Sequence, residues 1–154
     1  MSSFWGKPTW IFLHTFAEKI NEDFYIKNRK HIIKIVYSIC EGLPCPICKT
    51  HAMAFMTRVT EKTVPNKNQF IAMFINFHNN VNLRLGKPKF DLKNYNIYKN
   101  KNIKIVFNDF KITYGKKYTS ILSRTAEEYN RELQRFALCK SLFEWLKANQ
   151  LYFI

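Results

Sequence analysis

Apolar residues recur three and four residues apart through most of residues 8–98, the spacing that places side chains on one face of an α-helix. This spacing, with Pro and Gly at the breaks, predicts four helices, at Pro8–Ile20, Asn28–Cys40, Cys45 to about Arg58, and Asn68–Leu85. A polar connection is expected over residues 21–27, and a short fifth helix over Leu92–Tyr98. The fourth helix has the clearest apolar stripe, which comprises Phe70, Met73, Phe74, Phe77, Val81 and Leu85. The pattern predicts an all-α fold, a four-helix bundle with a short fifth helix.

The pattern changes after Asn102. The segments Ile103–Phe107 and Phe110–Tyr114 flank Asn108-Asp109, which predicts a small β-hairpin. Helical spacing returns from Tyr118 to Asn149 and predicts one long helix, with an apolar stripe of Tyr129, Leu133, Phe136, Cys139, Phe143 and Leu146. We therefore divide the chain into a domain at 1–100 and a C-terminal extension at 101–154, to which the sequence assigns no role.

The chain is strongly basic, with 25 Lys and Arg against 11 Asp and Glu among 154 residues, a formal net charge of +14. Such a balance suits nucleic acid, an anionic cofactor or an acidic partner. The lysines are scattered, often beside asparagine, so nucleic acid is the weaker interpretation. No apolar run approaches the ~20 residues of a membrane helix, and the first residues lack the features of a signal peptide. We expect cytosolic synthesis without export or membrane insertion.

The sequence Cys45-Pro46-Ile47-Cys48 is the strongest chemical motif. Four cysteines are too few for a secreted disulfide scaffold, and a C-x-x-C outside that class is a metal site or a redox pair. Pro46 suits the first turn of a helix, which places Cys45 at the helix N-terminus, where a thiolate is stabilised. The motif therefore favours redox chemistry.

Two alternatives are weaker. Zinc could be bound by Cys45, Cys48, His51 and His78, but structural zinc sites usually include a second closely spaced ligand pair, and none is present. A thioredoxin-like protein would place the motif after a β-strand, whereas the residues before Cys45 have helical spacing.

Candidate cofactor residues lie on two of the predicted helices. His78 and Asn82 are four residues apart and share a face, as do Trp10 and His14. Such faces can line a flat, polar-edged cofactor, and a diphosphate could be neutralised near the helix ends by Lys7, Arg84 and Lys87. Each histidine could equally be a satisfied core residue. His51 could tune the thiol or the cofactor, or only form a hydrogen bond.

Together these motifs resemble the Erv/ALR family of FAD-linked sulfhydryl oxidases. The resemblance spans residues 4 to about 98 and rests on Trp5-Gly6 and Trp10-Ile11-Phe12-Leu13-His14, on Leu43-Pro44-Cys45-Pro46-Ile47-Cys48 with His51, and on the segment from His78 to Pro88. Three blocks in this order and at this spacing are highly specific to the family.

The resemblance implies FAD held inside the bundle, often in a homodimer, and oxidation of substrate dithiols to disulfides. Electrons would pass through the C-x-x-C pair to FAD and then to O2, which gives H2O2. By position, Cys48 would be the thiol next to the flavin and Cys45 the thiol that exchanges with substrate. The residues implied to contact or flank FAD are Gly6, Lys7, Trp10, His14, His51, His78, Asn79, Asn82 and Lys87. No metal is implied.

Several departures narrow the resemblance. Ile75 and Leu92 stand where cellular members have a structural disulfide, and Ile20 stands near a family tyrosine. With these departures the sequence is most similar to the oxidases of large cytoplasmic DNA viruses. They imply activity in the host cytoplasm, with packaging in the virion as a further option, on a dithiol redox protein or viral substrate proteins.

The two remaining cysteines leave three alternatives. Cys40 and Cys139 could be inert buried thiols, which we favour, a disulfide, or, for Cys139, a shuttle thiol. Direct oxidation of a separate redox protein is therefore the preferred route. The alternative function for the whole chain is a zinc-stabilised helical module that binds nucleic acid or a protein.

Overall fold

A computed structural model describes residues 4–116 and 125–154, and every regular element within them is helical. The all-α prediction is therefore confirmed. The elements are α1 (Gly6–Lys19), α2 (Glu22–Glu41), α3 (Pro46–Met56), α4 (Lys67–Arg84), a 3-10 helix (Leu92–Asn100), α5 (Ile103–Tyr114), α6 (Ala126–Ala148) and a C-terminal 3-10 helix (Gln150–Phe153). The start of the predicted long helix, at residues 118–124, lies outside the described residues.

Helix α1 lies at the centre of the molecule. It contacts α4 on one side and α5 on the other, and both 3-10 helices also pack against it. Phe12 shows why: its ring stacks on Phe110 of α5, with 4.8 Å between ring centroids. Phe16 continues the contact towards the C-terminal 3-10 helix, where its ring lies 5.1 Å from that of Phe153. The extension therefore completes the hydrophobic core of the N-terminal helices.

Helix α2 begins earlier than predicted. Residues 22–27, expected to be a polar connection, are helical because the Asn21 side chain caps the helix by accepting a hydrogen bond from the Phe24 N–H at 2.9 Å. The predicted start, Asn28, is instead a kink with φ −114° and ψ 16°. Its inner stripe, formed by Ile32, Val36 and Ile39, is buried.

The predicted β-hairpin at 103–114 is wrong, because this segment is helix α5. The Asn102 side chain accepts hydrogen bonds from the N–H groups of Lys104 and Ile105, which starts the helix. Phe110 is fully buried while Ile112 is 57% exposed. A strand would place these two side chains on the same face, so burial against α1 distinguishes the two structures.

The predicted apolar stripe of α6 is only partly correct. Cys139 and Leu146 are buried as expected, but four members are exposed, with 43–54% of their surface accessible: Tyr129, Leu133, Phe136 and Phe143. The inner positions one residue earlier are taken by Glu132 and Arg135, of which Arg135 donates a hydrogen bond to the Gly42 carbonyl. In its N-terminal half, α6 therefore has charged residues facing inward and apolar residues facing outward.

No helix among the described residues is long and apolar enough to cross a membrane.

Candidate active site

The C-x-x-C motif lies at the N-terminus of α3, as predicted. Cys45 is the N-cap residue, and its Sγ accepts a hydrogen bond from the Cys48 N–H at 3.3 Å, with Pro46 in the first turn. The Cys48 thiol donates to the same sulfur at 2.6 Å, and neither cysteine is joined in a disulfide. Two donors and a helix N-terminus all point at Cys45 Sγ, which stabilises negative charge on that sulfur.

The surroundings of Cys48 favour its protonated thiol. Burial raises the pKa of its thiol to about 12, the hydrogen bond to Cys45 adds to the shift, and the positive charge of Arg84 opposes it. The two sulfurs are therefore not equivalent: Cys45 accepts both hydrogen bonds, whereas Cys48 donates them. Arg84 belongs to α4, six residues beyond His78, so this helix connects the dithiol to the second half of the site.

A pair of histidines forms that second half. His14 of α1 and His78 of α4 are joined by a hydrogen bond of 2.9 Å between Nε2 and Nδ1. Burial, with the neighbouring His78, lowers the pKa of His14 to about 3. Burial and the charge of Lys87 lower the pKa of His78 to about 4. Both rings are therefore neutral at pH 7, and the pair shares one N–H between two nitrogens.

Aromatic rings surround this pair. Trp10 stacks on His78 at 4.1 Å between centroids and 5° between planes. On the other side, Phe90 stacks on both histidines at 5.2 Å, and Tyr98 stacks on His14 at 4.9 Å. The arrangement brings Trp10, His14 and His78, three of the predicted cofactor residues, into one aromatic cluster.

The predicted amides hold a loop around this cluster. Asn79 Oδ1 accepts a hydrogen bond from the Phe90 N–H at 2.7 Å, and Asn82 donates from Nδ2 to the Pro88 carbonyl at 3.2 Å. Gly86 makes the turn possible because its φ of +68° lies in the region that favours glycine. The chain thus folds back after α4 and delivers Phe90 to the histidines.

The other predicted residues lie at different distances from the cluster. Lys87 is close enough for its charge to act on His78. Gly6 begins α1, one turn before Trp10, and Lys7 next to it is exposed. His51 is exposed on α3, and no described contact joins it to the histidine pair. Its assignment to the cofactor stays a prediction.

Sequence reasoning missed three residues. Phe90 and Tyr98 complete the ring cluster, and Tyr95 packs edge-on against both His14 and Phe90. Arg84, predicted to lie near a diphosphate, also acts on Cys48 through its charge. The 3–4 spacing of Tyr95 and Tyr98 on the short fifth helix was a usable signal, since it places both rings on one face. Phe90 had no such signal, because a loop residue has no periodicity.

Neither a metal site nor a second dithiol is seen in the described part of the chain. It contains no group of three or more His, Cys, Asp or Glu side chains that could hold a metal ion. Cys40 and Cys139 are free and buried. Burial raises the pKa of Cys40 to about 12 and that of Cys139 to about 11. Their geometry is that of inert thiols, the interpretation favoured from the sequence.

Fold and site together define a class, an all-α protein with a dithiol at a helix N-terminus and a neutral histidine pair inside an aromatic cluster. Comparison with known proteins assigns the chain to a family within that class. The model of the Erv1/Alr family matches residues 7–102, and the chain belongs to this family. The match ends just before α5, so α5 and α6 lie outside it.

Individual relatives agree with the family match. An FAD-linked sulfhydryl oxidase of African swine fever virus is 33% identical over 103 residues, which cover 66% of this chain and 86% of the relative. A candidate FAD-linked sulfhydryl oxidase of Invertebrate iridescent virus 3 is 34% identical over 58% of this chain. The matched part is 61% of that relative, so this chain spans less than two thirds of its length. The mitochondrial FAD-linked sulfhydryl oxidase of Schizosaccharomyces pombe is 26% identical over 56% of this chain and 48% of its own.

No solved structure gives a significant match to the chain.

Proposed function

We propose that this protein is an FAD-linked thiol oxidase that converts dithiols of a partner protein into disulfides. The observation that carries the proposal is the polarised dithiol at the start of α3, where Cys45 accepts hydrogen bonds from both the N–H and the S–H of Cys48. The names of the viral and fungal relatives support it.

The residues present fit FAD by their chemistry. Half-buried Trp10, stacked on His78, offers an aromatic face, and His14 Nδ1 is buried without a hydrogen-bond partner among the described residues. A buried unpaired ring nitrogen is costly, and a heteroatom of a bound cofactor would satisfy it. The positive charge of Lys87 suits the diphosphate. FAD would supply the two-electron oxidation of the Cys45–Cys48 dithiol and the transfer of those electrons onward.

The chain's own cysteines perform the exchange. In the oxidised pair, a substrate thiolate attacks Cys45, a mixed disulfide forms, and Cys48 leaves as a thiolate. The second substrate thiolate then attacks the substrate sulfur of that mixed disulfide. The substrate disulfide is released and Cys45 leaves as a thiolate. The substrate loses two electrons and two protons, and the Cys45–Cys48 pair gains them. Arg84 assists the first departure because it stabilises negative charge on Cys48.

The finer features belong to the same proposal. O2 is the final acceptor and H2O2 the product, and α1–α4 form the four-helix bundle of a homodimer. The chain is viral and forms disulfides in viral proteins within the host cytoplasm, with packaging in the virion as an option. Similarity to enzymes of two groups of DNA viruses supports the viral assignment.

A visible absorbance spectrum tests the proposal directly. The purified protein, supplied with FAD, should show an oxidised flavin spectrum that bleaches on anaerobic addition of dithiothreitol and returns with air, when peroxide should appear. A colourless protein that does not take up FAD and contains stoichiometric zinc would overturn the proposal in favour of a metal-stabilised binding module.

Cysteine variants test the assigned roles. Cys45→Ser and Cys48→Ser should each retain bound flavin and lower dithiol turnover by at least about 100-fold, because each removes one sulfur of the redox pair. Cys139→Ser is the matched control and should turn over at the wild-type rate. Normal turnover by either variant of the pair would contradict the mechanism.

A further inference from the structure

A groove between α5 and α6 has the composition of a peptide-binding site. Its cavity of about 390 Å³ has a largely apolar floor to which both helices contribute, at Ile103, Phe107, Phe143 and Leu146. Phe107 and Phe143 pack with 6.4 Å between ring centroids. Three of these side chains are nearly buried, but Phe143 keeps 43% of its surface exposed. The groove therefore presents one accessible aromatic surface inside a concave wall.

All the charged residues that line this cavity are lysines. Lys104 and Lys111 come from α5 and Lys147 from α6. The Lys111 ammonium lies 5.5 Å from the centre of the Phe143 ring. An adjoining cavity, which shares Ile103 and Lys104, adds Lys19 and Lys101. Asp109 and Glu144 lie on the same helices but not among the lining residues. The groove therefore places positive charge around an apolar floor.

The outer face of α6 is apolar over two further turns before Phe143. Phe136 is seven residues before Phe143 and lies on the same side of the helix, as do Tyr129 and Leu133, and all four are exposed. Charged residues occupy the inner positions of this half of the helix. Apolar outer residues beside inward-facing charges are the opposite of an ordinary surface helix, and such a face is typical of an interaction surface.

From this geometry we infer that the α5–α6 groove binds an acidic amphipathic segment of a protein partner, with an apolar side chain against Phe143 and carboxylates facing Lys104, Lys111 and Lys147. Charge complementarity selects this occupant. A second copy of the chain is disfavoured at this groove because a symmetric contact here would place the same lysines of two copies against each other. A lipid surface is disfavoured because it is flat while the floor is concave. If the proposed oxidase function holds, the segment would tether a dithiol substrate.

The groove lies outside the residues matched by the family model, and its binding can be measured without any redox activity. A suitable probe is the fluorescein-labelled peptide AEEFAEELAEEA, which is amphipathic when helical and contains no thiol. Fluorescence anisotropy at 0.15 M salt should show saturable binding to the full-length protein. The same peptide with alanine in place of Phe and Leu should bind at least about ten-fold more weakly, and the peptide with lysine in place of glutamate should not bind.

Protein variants locate the site. The triple variant K104E/K111E/K147E should weaken binding at least about ten-fold, and so should F143A combined with F136A. The matched control is K30E/K34E/K62E, three exposed lysines elsewhere on the chain, which changes the net charge by the same amount. It should weaken binding less than about three-fold. Circular dichroism melts confirm that each variant folds.

Four outcomes would overturn the inference. The first is that the probe does not bind, and the second is that the two triple lysine variants weaken binding equally. The third is that the peptide without Phe and Leu binds as well as the probe. The fourth is that phosphatidylserine vesicles bind through the three groove lysines while the peptide does not. The last outcome would assign the surface to an anionic membrane.

Discussion

The neutral state of the two histidines is the most distinctive electrostatic feature at the scale of single residues. A histidine in an unfolded chain has a pKa of ~6.5, whereas burial lowers the pKa of His14 to about 3 and that of His78 to about 4. Below pH 6.5 the unfolded chain therefore binds protons that the folded chain does not. The two histidines therefore make the folded chain more stable at high pH than at low pH. Their contribution to the free energy of unfolding is lost as the pH falls towards 4.

We predict that the free energy of unfolding of the wild type falls steeply between pH 6.5 and pH 4.5, and that His78→Asn reduces this fall by about 1–2 kcal/mol. Urea denaturation at several pH values measures it. His51→Gln, a change of an exposed histidine on α3, should keep the full pH dependence. An unchanged slope in His78→Asn would show that this ring is not held neutral by the fold.

Arg84 sets the reactivity of one sulfur. Its charge opposes the rise in the pKa of Cys48, so we predict that Arg84→Gln raises this pKa further and makes Cys48 a poorer leaving group. Because Arg84 is exposed and solvent screens its charge, dithiol turnover at pH 7.5 should fall only about two- to five-fold. The pH profile should move to higher pH. The same substitution at Lys89 should change neither, and a loss of rate without a shift in the profile would contradict the electrostatic role.

At the scale of elements, helix α5 shows how one apolar pattern fits two structures. The segment 103–114 contains enough β-branched and aromatic residues to suit a hairpin, yet its buried residues, at 103, 106, 107, 110, 113 and 114, have helical spacing. We predict that Phe110→Ala lowers the free energy of unfolding by about 3–4 kcal/mol, because it leaves a cavity against Phe12.

Ile112→Ala is the matched test for this element. In a helix Ile112 points to solvent, so its loss should cost less than about 1 kcal/mol. In a hairpin, positions 110 and 112 would share a face, and the two substitutions would have similar effects. Chemical denaturation distinguishes the two structures.

At the scale of the whole molecule, the extension beyond residue 100 is part of the core. Helix α5 covers α1, the Asn21 N–H donates to the Tyr152 carbonyl at 2.7 Å, and Phe24 stacks on Tyr152 with 4.3 Å between centroids. The division at residue 100 stays a prediction about where the family domain ends, but the packing does not stop there.

We therefore predict that a chain ending at Asn100 exposes Phe12 and Phe16, and that it aggregates or melts more than about 15 °C below the full chain. Solubility and differential scanning calorimetry measure this. The control is deletion of Ile154 alone, the exposed last residue, which should melt like the full chain. A soluble, cooperatively folded fragment 1–100 that binds FAD would show that the extension is dispensable for folding.

The sequence by itself determined that helices form in the first hundred residues, apart from the start of α2, and it determined the place of the dithiol and the family. Helical spacing and N-terminal signals are local, so Pro46 was enough to place Cys45 at the start of α3. Neighbours within one helix could be predicted from helical spacing, as for Trp10 with His14 and for His78 with Asn82.

Only the tertiary structure decided which faces are buried and which residues meet. The segment 103–114 is a helix because its apolar face packs against α1. Phe136 faces solvent because the neighbouring Arg135 faces inward and donates a hydrogen bond to the Gly42 carbonyl. The pairing of His14 with His78 joins residues 64 positions apart, and the pKa shifts of both follow from burial that no local pattern reports. Local pattern specifies the elements, but the free energy of burial, which depends on contacts distant in sequence, determines how their faces are used.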